Sequence, residues 1–158
     1  MREGEHPAGD VGQWICVVVF LAVWVGDSFV LHVSTFLAHL VPLPVRLVLL
    51  GFALVTAGYL FKSGHVVVSH DHPPDAVLHS GAFRYVRHPL YLASLLVYLG
   101  VAVSTLSLLS LGLLVGIFVF HNYIAGYEER LLLARFGEAY RGYQRSAGKW
   151  VPRIGGNG

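Results

Sequence analysis

The sequence predicts an all-α integral membrane protein of about four transmembrane helices with a C-terminal amphipathic helix. Three observations carry this. Hydrophobic residues make up 55% of the 158 and charged residues only 13%, against roughly 25% charged in a soluble domain. From Pro89 to Tyr127 there is no Asp, Glu, Lys or Arg. The basic residues gather in two polar segments that a four-span arrangement places on one face. The length suits a single domain over 1–158.

The first ten residues are polar and mixed in charge. No small-residue cleavage site follows, so the apolar run after them is expected to be a retained helix and not a removed signal peptide. A spanning helix takes roughly 17–25 apolar residues. Gln13–Leu40 supplies the first candidate (13–40), interrupted by Asp27, His32 and His39 and closed by Pro42 and Pro44. Val45–Phe61 (45–61) is the second, bracketed by Arg46 and Lys62, whose long side chains can reach the headgroups. Ser69–Arg87 (69–87) contains Pro73, Pro74 and Gly81. Irregular backbone cannot lie exposed in hydrocarbon, so this segment is a surface loop. The uncharged stretch then provides two spans, Leu90–Val103 (90–103) and Leu108–Ile124 (108–124), turned at Ser104, Thr105 and Ser107. Gly112 and Gly116 form a G-x-x-x-G face suited to close helix packing.

Tyr127–Gln144 (127–144) reads as a surface helix. At 100° per residue Leu132, Phe136, Tyr140 and Tyr143 share one face, while Arg130, Glu138, Arg141 and Arg145 lie opposite. Gly148 to Gly158 is a short tail. Lys62, Arg84 and Arg87 fall on the loop, and Arg130, Arg135, Arg141, Arg145, Lys149 and Arg153 follow the fourth span. Only Arg46 falls on the other side, so loop and C-terminal helix are expected on the cytoplasmic face. The single cysteine, Cys16, allows no internal disulfide. The partner this pattern implies is the lipid bilayer, with no nucleic acid; oligomeric state is left open.

Chemistry is expected where loop and C-terminal helix meet. Glu129 sits near the middle of the apolar helical face and Glu128 at its edge. A carboxylate turned into apolar surroundings needs a partner. Either Arg84 or Arg87 supplies it as a salt bridge, or the two acids hold a ligand. Arg87-His88-Pro89-Leu90-Tyr91 opens the third span. Pro is favoured in a first helical turn, which puts His88 at the N-cap, and a helix N-terminus suits an anion. The plainer reading is a cap followed by an interfacial tyrosine. Asp27 and His32 lie inside the first span, where an ionisable group is structural or faces a substrate cavity. His121, seven residues before Glu128, is the candidate base.

Gly81, Phe83, Tyr85, Arg87, His88, Pro89 and Tyr91, followed after the hairpin by Glu128, Glu129, Leu132, Phe136, Gly137, Tyr140 and Tyr143, make an ordered pair of motifs. The pair resembles the isoprenylcysteine carboxyl methyltransferase and phospholipid methyltransferase superfamily, over roughly residues 77 to 153. The resemblance implies a membrane methyltransferase with S-adenosylmethionine as cofactor and a lipophilic small-molecule acceptor, an isoprenylcysteine carboxylate or a phospholipid amine. It assigns the cofactor pocket to His88, Pro89, Leu90, Tyr91 and Glu128, with contributions from Phe83, Val77 and Leu78. Glu129 joins them on the helical-face argument. Ala93 stands where the family often has Gly. Ile124 stands where the isoprenylcysteine enzymes carry an Arg that holds the substrate carboxylate. Tyr127 before Glu128 is closer to the phospholipid branch. Asp27 and Ile124 are the candidate acceptor-side residues.

Two other classes compete. His65, His70, His72, His79 and His88 cluster on or near the loop with Asp71 and Asp75, a donor set that could bind zinc or iron in a membrane oxidase. The H-x-x-H-H box of such oxidases is absent, and no metal site is assigned. A non-enzymatic membrane interaction protein would bind no S-adenosylmethionine.

Overall fold

The computed structural model describes residues 9–70 and 80–153. Among these residues five α-helices follow one another: α1 (Gly9–Val25), α2 (Leu43–His70), α3 (Pro89–Thr105), α4 (Leu108–Phe136) and α5 (Glu138–Ser146). Three of the described segments are long and apolar enough to cross a membrane: Val11–Leu31, Leu43–Gly64 and Leu108–Phe136. α3 is a shorter apolar helix. Among the described residues there is no strand.

The first four helices run alternately up and down. Trp24 Nε1 and Ser28 Oγ both donate to Thr105 Oγ1, at 3.0 and 2.9 Å, which ties the end of the first segment to the α3–α4 turn. Arg46 Nη1 donates to the Ser104 carbonyl at 2.8 Å, so α2 starts at that same far end. α2 reaches the near end at Gly64, where an added Cβ would meet Leu90 at 3.0 Å. α3 and α4 then form the expected hairpin, turned by left-handed Leu106 (φ 52°) and capped by Ser107 Oγ, which accepts from the Ser110 N–H.

In lipid, helices associate through close contact more than through burial of apolar area. α2 and α3 form the most extensive pairing. At Gly100 an added Cβ would lie 2.9 Å from Ala53 Cβ, so a side chain there would force the pair apart. Phe20 of α1 meets Tyr98 of α3 at a ring-centroid distance of 4.7 Å, and Leu95, Ala102 and Ile117 complete this core. The outer faces of α1 and α2 expose Trp14, Val18, Phe52 and Val55, as lipid-facing helices do. Gly112 and Gly116 have nothing within 4 Å of an added Cβ. The close packing expected of their face is therefore not made among the described residues; Gly12, Gly64 and Gly100 are where helices approach closely.

The first helical segment ends at Leu31, not Leu40. A π-helical turn over Gly26–Leu31 closes on left-handed His32 (φ 53°). Asp27, 2% exposed, is the reason. Its carboxylate accepts from the Ser34 N–H at 2.9 Å and from the Ser34 and Ser107 hydroxyls at 2.5 Å each. The chain is thus turned about ten residues before the prolines. α2 runs on to His70, beyond the expected end at Phe61.

The separate surface helix expected over Tyr127–Gln144 is two pieces. α4 continues unbroken to Phe136, and its 29 residues span about 43 Å against a hydrocarbon layer of about 30 Å. Its last turns, from Tyr127 on, therefore stand outside the lipid. Gly137 then breaks the rod with φ +52° and ψ −122°, a backbone state that glycine adopts without steric cost. α5 follows, and the predicted face survives the break: Tyr140, Tyr143 and Ala147 are buried against Leu132, Leu133 and Phe136. Past α5 the chain folds back along the start of α3. The Arg87 N–H donates to the Gly148 carbonyl at 2.8 Å, and the Gly148 N–H donates to the Tyr85 carbonyl at 3.2 Å.

Candidate functional site

The α3 entrance and the emergent end of α4 meet at the near end of the bundle. Pro89 occupies the first turn of α3 and His88 its N-cap, with φ −125°. The His88 side chain makes no capping bond. It turns instead between the two acids of α4. Nε2 lies 3.1 Å from Glu129 Oε1 and Nδ1 lies 3.6 Å from Glu128 Oε2. Its ring stacks on Tyr91, one helical turn along, at 5.7 Å between centroids and 10° between planes. The Tyr91 hydroxyl donates to Glu128.

Glu129 takes the salt bridge foreseen for it, from Arg87 and not Arg84. Arg87 Nε donates to Oε1 at 2.9 Å, and Gln144 Nε2 to Oε2 at 3.4 Å. Arg87 Nη1 also donates to the Ala147 carbonyl at 2.7 Å and the Gln144 carbonyl at 3.2 Å. One guanidinium thereby ties α4, α5 and the returning tail together. Burial alone would raise the Glu129 carboxyl, but hydrogen bonds and charge from His88 and Arg87 outweigh it and hold it at about 2. Burial pushes the Tyr140 and Tyr143 phenols well above their ordinary range, and the Glu129 charge adds to the rise. Both remain protonated donors; the Tyr143 hydroxyl donates to the Phe83 carbonyl at 2.7 Å.

The other predicted residues divide. Pro89 and Leu90 pack toward Gly64 of α2. Phe83 lies in a 3₁₀ turn, Gly81–Arg84, that is fastened to α2 by the Ala82 N–H donating to Ser63 Oγ at 2.8 Å. His121 comes close: its ring meets Tyr91 edge to face at 5.3 Å. His121 Nδ1 lies 2.9 Å from the Ile117 carbonyl, which can only accept, so Nδ1 carries the proton and Nε2 is the basic nitrogen. Nε2 lies 3.3 Å from Ser94 Oγ. Ile124 is buried on α4. Asp27 is not brought to the site; it belongs to the hydroxyl knot at the far end. Val77 and Leu78 lie outside the described residues, as do His72, His79, Asp71 and Asp75 of the rival metal reading. Among the described residues no group of three or more His, Cys, Asp or Glu is placed to hold a metal.

Sequence reasoning missed Gln144 and Trp150. Trp150 lies on the returning tail with its ring 5.9 Å from His88 and 5.5 Å from Phe118. Neither residue stands in a periodic pattern that would single it out. The helical face that placed Tyr140 and Tyr143 inward puts Gln144 beside them, which was the available hint.

The apolar helices define an integral membrane protein, and the pair of acids held against the α3 entrance at one end of them is its candidate site. The sequence model of the phospholipid methyltransferase family matches residues 39–139, and the chain belongs to that family. It is accordingly a membrane methyltransferase whose methyl donor is S-adenosylmethionine. Comparison with curated proteins and with solved structures gave no match.

Proposed function

We propose that Glu128, His88 and Tyr91 form the heart of the S-adenosylmethionine site and that the acceptor is a phospholipid amine reached from the bilayer. The observation that carries this reading is the convergence of all three side chains from two helices at one end of the bundle. The donor set suits the cofactor. A carboxylate accepts from ribose hydroxyls or an ammonium group. The positive end of α3 suits a carboxylate, and the stacked His88–Tyr91 pair offers a flat π surface. Glu129 acts through Arg87 and His88, fixing the ring that faces Glu128. Pro89 and Leu90 hold the α3 entrance against α2.

When bound, the cofactor supplies a methyl group already activated on sulfonium. The protein's part is then to place a nucleophile in line with it, an orientation effect that can supply roughly 7–11 kcal/mol. An ammonium acceptor must first lose a proton. His121, with basic Nε2 and its ring against Tyr91, is placed to take it. Ile124 supports an amine acceptor over a carboxylate, because an apolar side chain offers no charge partner for one. The clustering of Lys and Arg at the site end supports a cytoplasmic orientation.

Calorimetry with S-adenosylmethionine in detergent, followed by transfer of labelled methyl to a panel of acceptors, tests the reading. Binding with transfer to a phospholipid amine, over a prenylcysteine carboxylate or a small thiol, is expected. Binding unchanged in Glu128→Ala would remove the acid from the pocket.

A further inference from the structure

We infer that Lys149 is an anion anchor for the acceptor, holding the phosphodiester of a lipid headgroup while its amine reaches the acid-lined site. The inference rests on the phospholipid-amine reading above. Lys149 lies beyond residues 39–139, the part of the chain the family model matches.

The geometry is unusual for a membrane lysine. Interfacial lysines ordinarily extend toward water. Lys149 Nζ reaches along α4 instead, donating to Asn122 Oδ1 at 2.9 Å and to the Asn122 carbonyl at 3.2 Å. Asn122, Gly126 and Glu129 recur at four and three residues and so share one stripe of α4. Asn122 lies about 10 Å deeper toward the bilayer than Glu129 along that stripe. Nζ passes close over Gly126, 3.7 Å from where a Cβ would lie. The ammonium thus sits below the acid pair, on the lipid side, and among the described residues its hydrogen bonds go to neutral oxygens.

The next residue ties it to the site. Trp150 Nε1 donates to the same Asn122 Oδ1 at 3.1 Å, which fixes the indole beside Lys149. The indole centroid lies 5.9 Å from Nζ and 5.9 Å from the His88 ring. A cation held on the lipid side of a donor site that faces water matches a substrate with an anion and an amine two methylenes apart. Its phosphate meets Lys149 and its amine lies toward Tyr91.

The test compares two acceptors of equal acyl length in the full-length protein: phosphatidylethanolamine and a diacyl amine lacking the phosphate. Lys149→Met should raise KM for the phospholipid by roughly tenfold or more, leaving KM for the phosphate-free amine and the cofactor Kd unchanged. Lys149→Arg should restore most of the loss, and Asn122→Ala should give an intermediate rise. An equal rise for both acceptors, or a shift in cofactor Kd, overturns the inference. Inorganic phosphate is the control for a free anion. Methylation unaffected by it supports the headgroup, whereas competitive inhibition abolished by Lys149→Met overturns the lipid assignment. Should neither amine be methylated, the acceptor reading itself fails, and the anchor is judged with Trp14 and Trp24 replaced by Phe, by quenching of the remaining Trp150 fluorescence with brominated phosphatidylethanolamine. Quenching lost in Lys149→Met supports it; quenching retained overturns it.

Discussion

Glu128 and Glu129 are adjacent in sequence but engaged by different partners. Glu129 is held by a guanidinium, an imidazole and an amide, whereas Glu128 meets the Tyr91 hydroxyl and the far nitrogen of His88. Substitution should separate the two. Glu128→Gln should lower S-adenosylmethionine affinity at least tenfold, as loss of a charged hydrogen bond does, with little change in Tm; calorimetry and a thermal scan of one sample check both. Glu129→Gln leaves Arg87 buried without its charge, which costs about 3–5 kcal/mol of stability. Its titration has a definite sign. The folded carboxyl sits at about 2, below the ordinary 4.5. Its contribution is therefore complete above about 4.5 and is lost as pH falls from there through about 2. Thermal scans in detergent should show Tm level between pH 7 and 5 and falling below about 4.5, with the fall reduced in Glu129→Gln. For His121→Asn, the pH–rate profile for an amine acceptor should lose its acidic limb while cofactor affinity is kept.

Elements set where those side chains can meet. α4 delivers its acids to α3 because it does not stop at the membrane surface, and Gly137 then lets α5 turn back over it. Gly137→Ala places a Cβ at φ +52° and ψ −122° and should cost about 1–3 kcal/mol. It should loosen the Arg87 bonds to Gln144 and Ala147 before the membrane core, which limited proteolysis of the C-terminal segment would reveal. Much of this element plan was legible. The hairpin, its Ser-rich turn and the inward face of Tyr140 and Tyr143 follow from charge gaps and helical periodicity. The early end of the first segment was not, because its cause is a carboxylate reaching Ser107, 80 residues away in sequence. The small-residue contacts were misplaced for a related reason. A G-x-x-x-G pattern marks a smooth face, but only tertiary arrangement decides which smooth face finds a neighbour. The meeting of His88 and Tyr91 with Glu128 was legible as paired motifs. The returning tail was not, since a short irregular strap has no period to read.

At the scale of the whole molecule, charge and polarity define two unlike ends. The near end gathers nearly all the Lys and Arg of the described chain; the far end is closed by Asp27, its serines and Arg46. Sealed vesicles of known sidedness test the orientation. With Cys16 replaced by Ser, a membrane-impermeant thiol reagent should label Ser146→Cys only from the cytoplasmic side and Leu40→Cys only from the other. Reversed labelling would invert the topology. The unbroken length of α4 carries a further consequence. A single stiff rod runs from the hydrocarbon beside His121 to the water beside Glu128, so the two cannot adjust their depths separately. Thickening the bilayer would draw the charged tip toward the acyl chains, and the rod must tilt in response. Turnover in vesicles should therefore pass through a maximum as acyl chains are lengthened, with the enzyme acting as a gauge of the thickness of its own solvent.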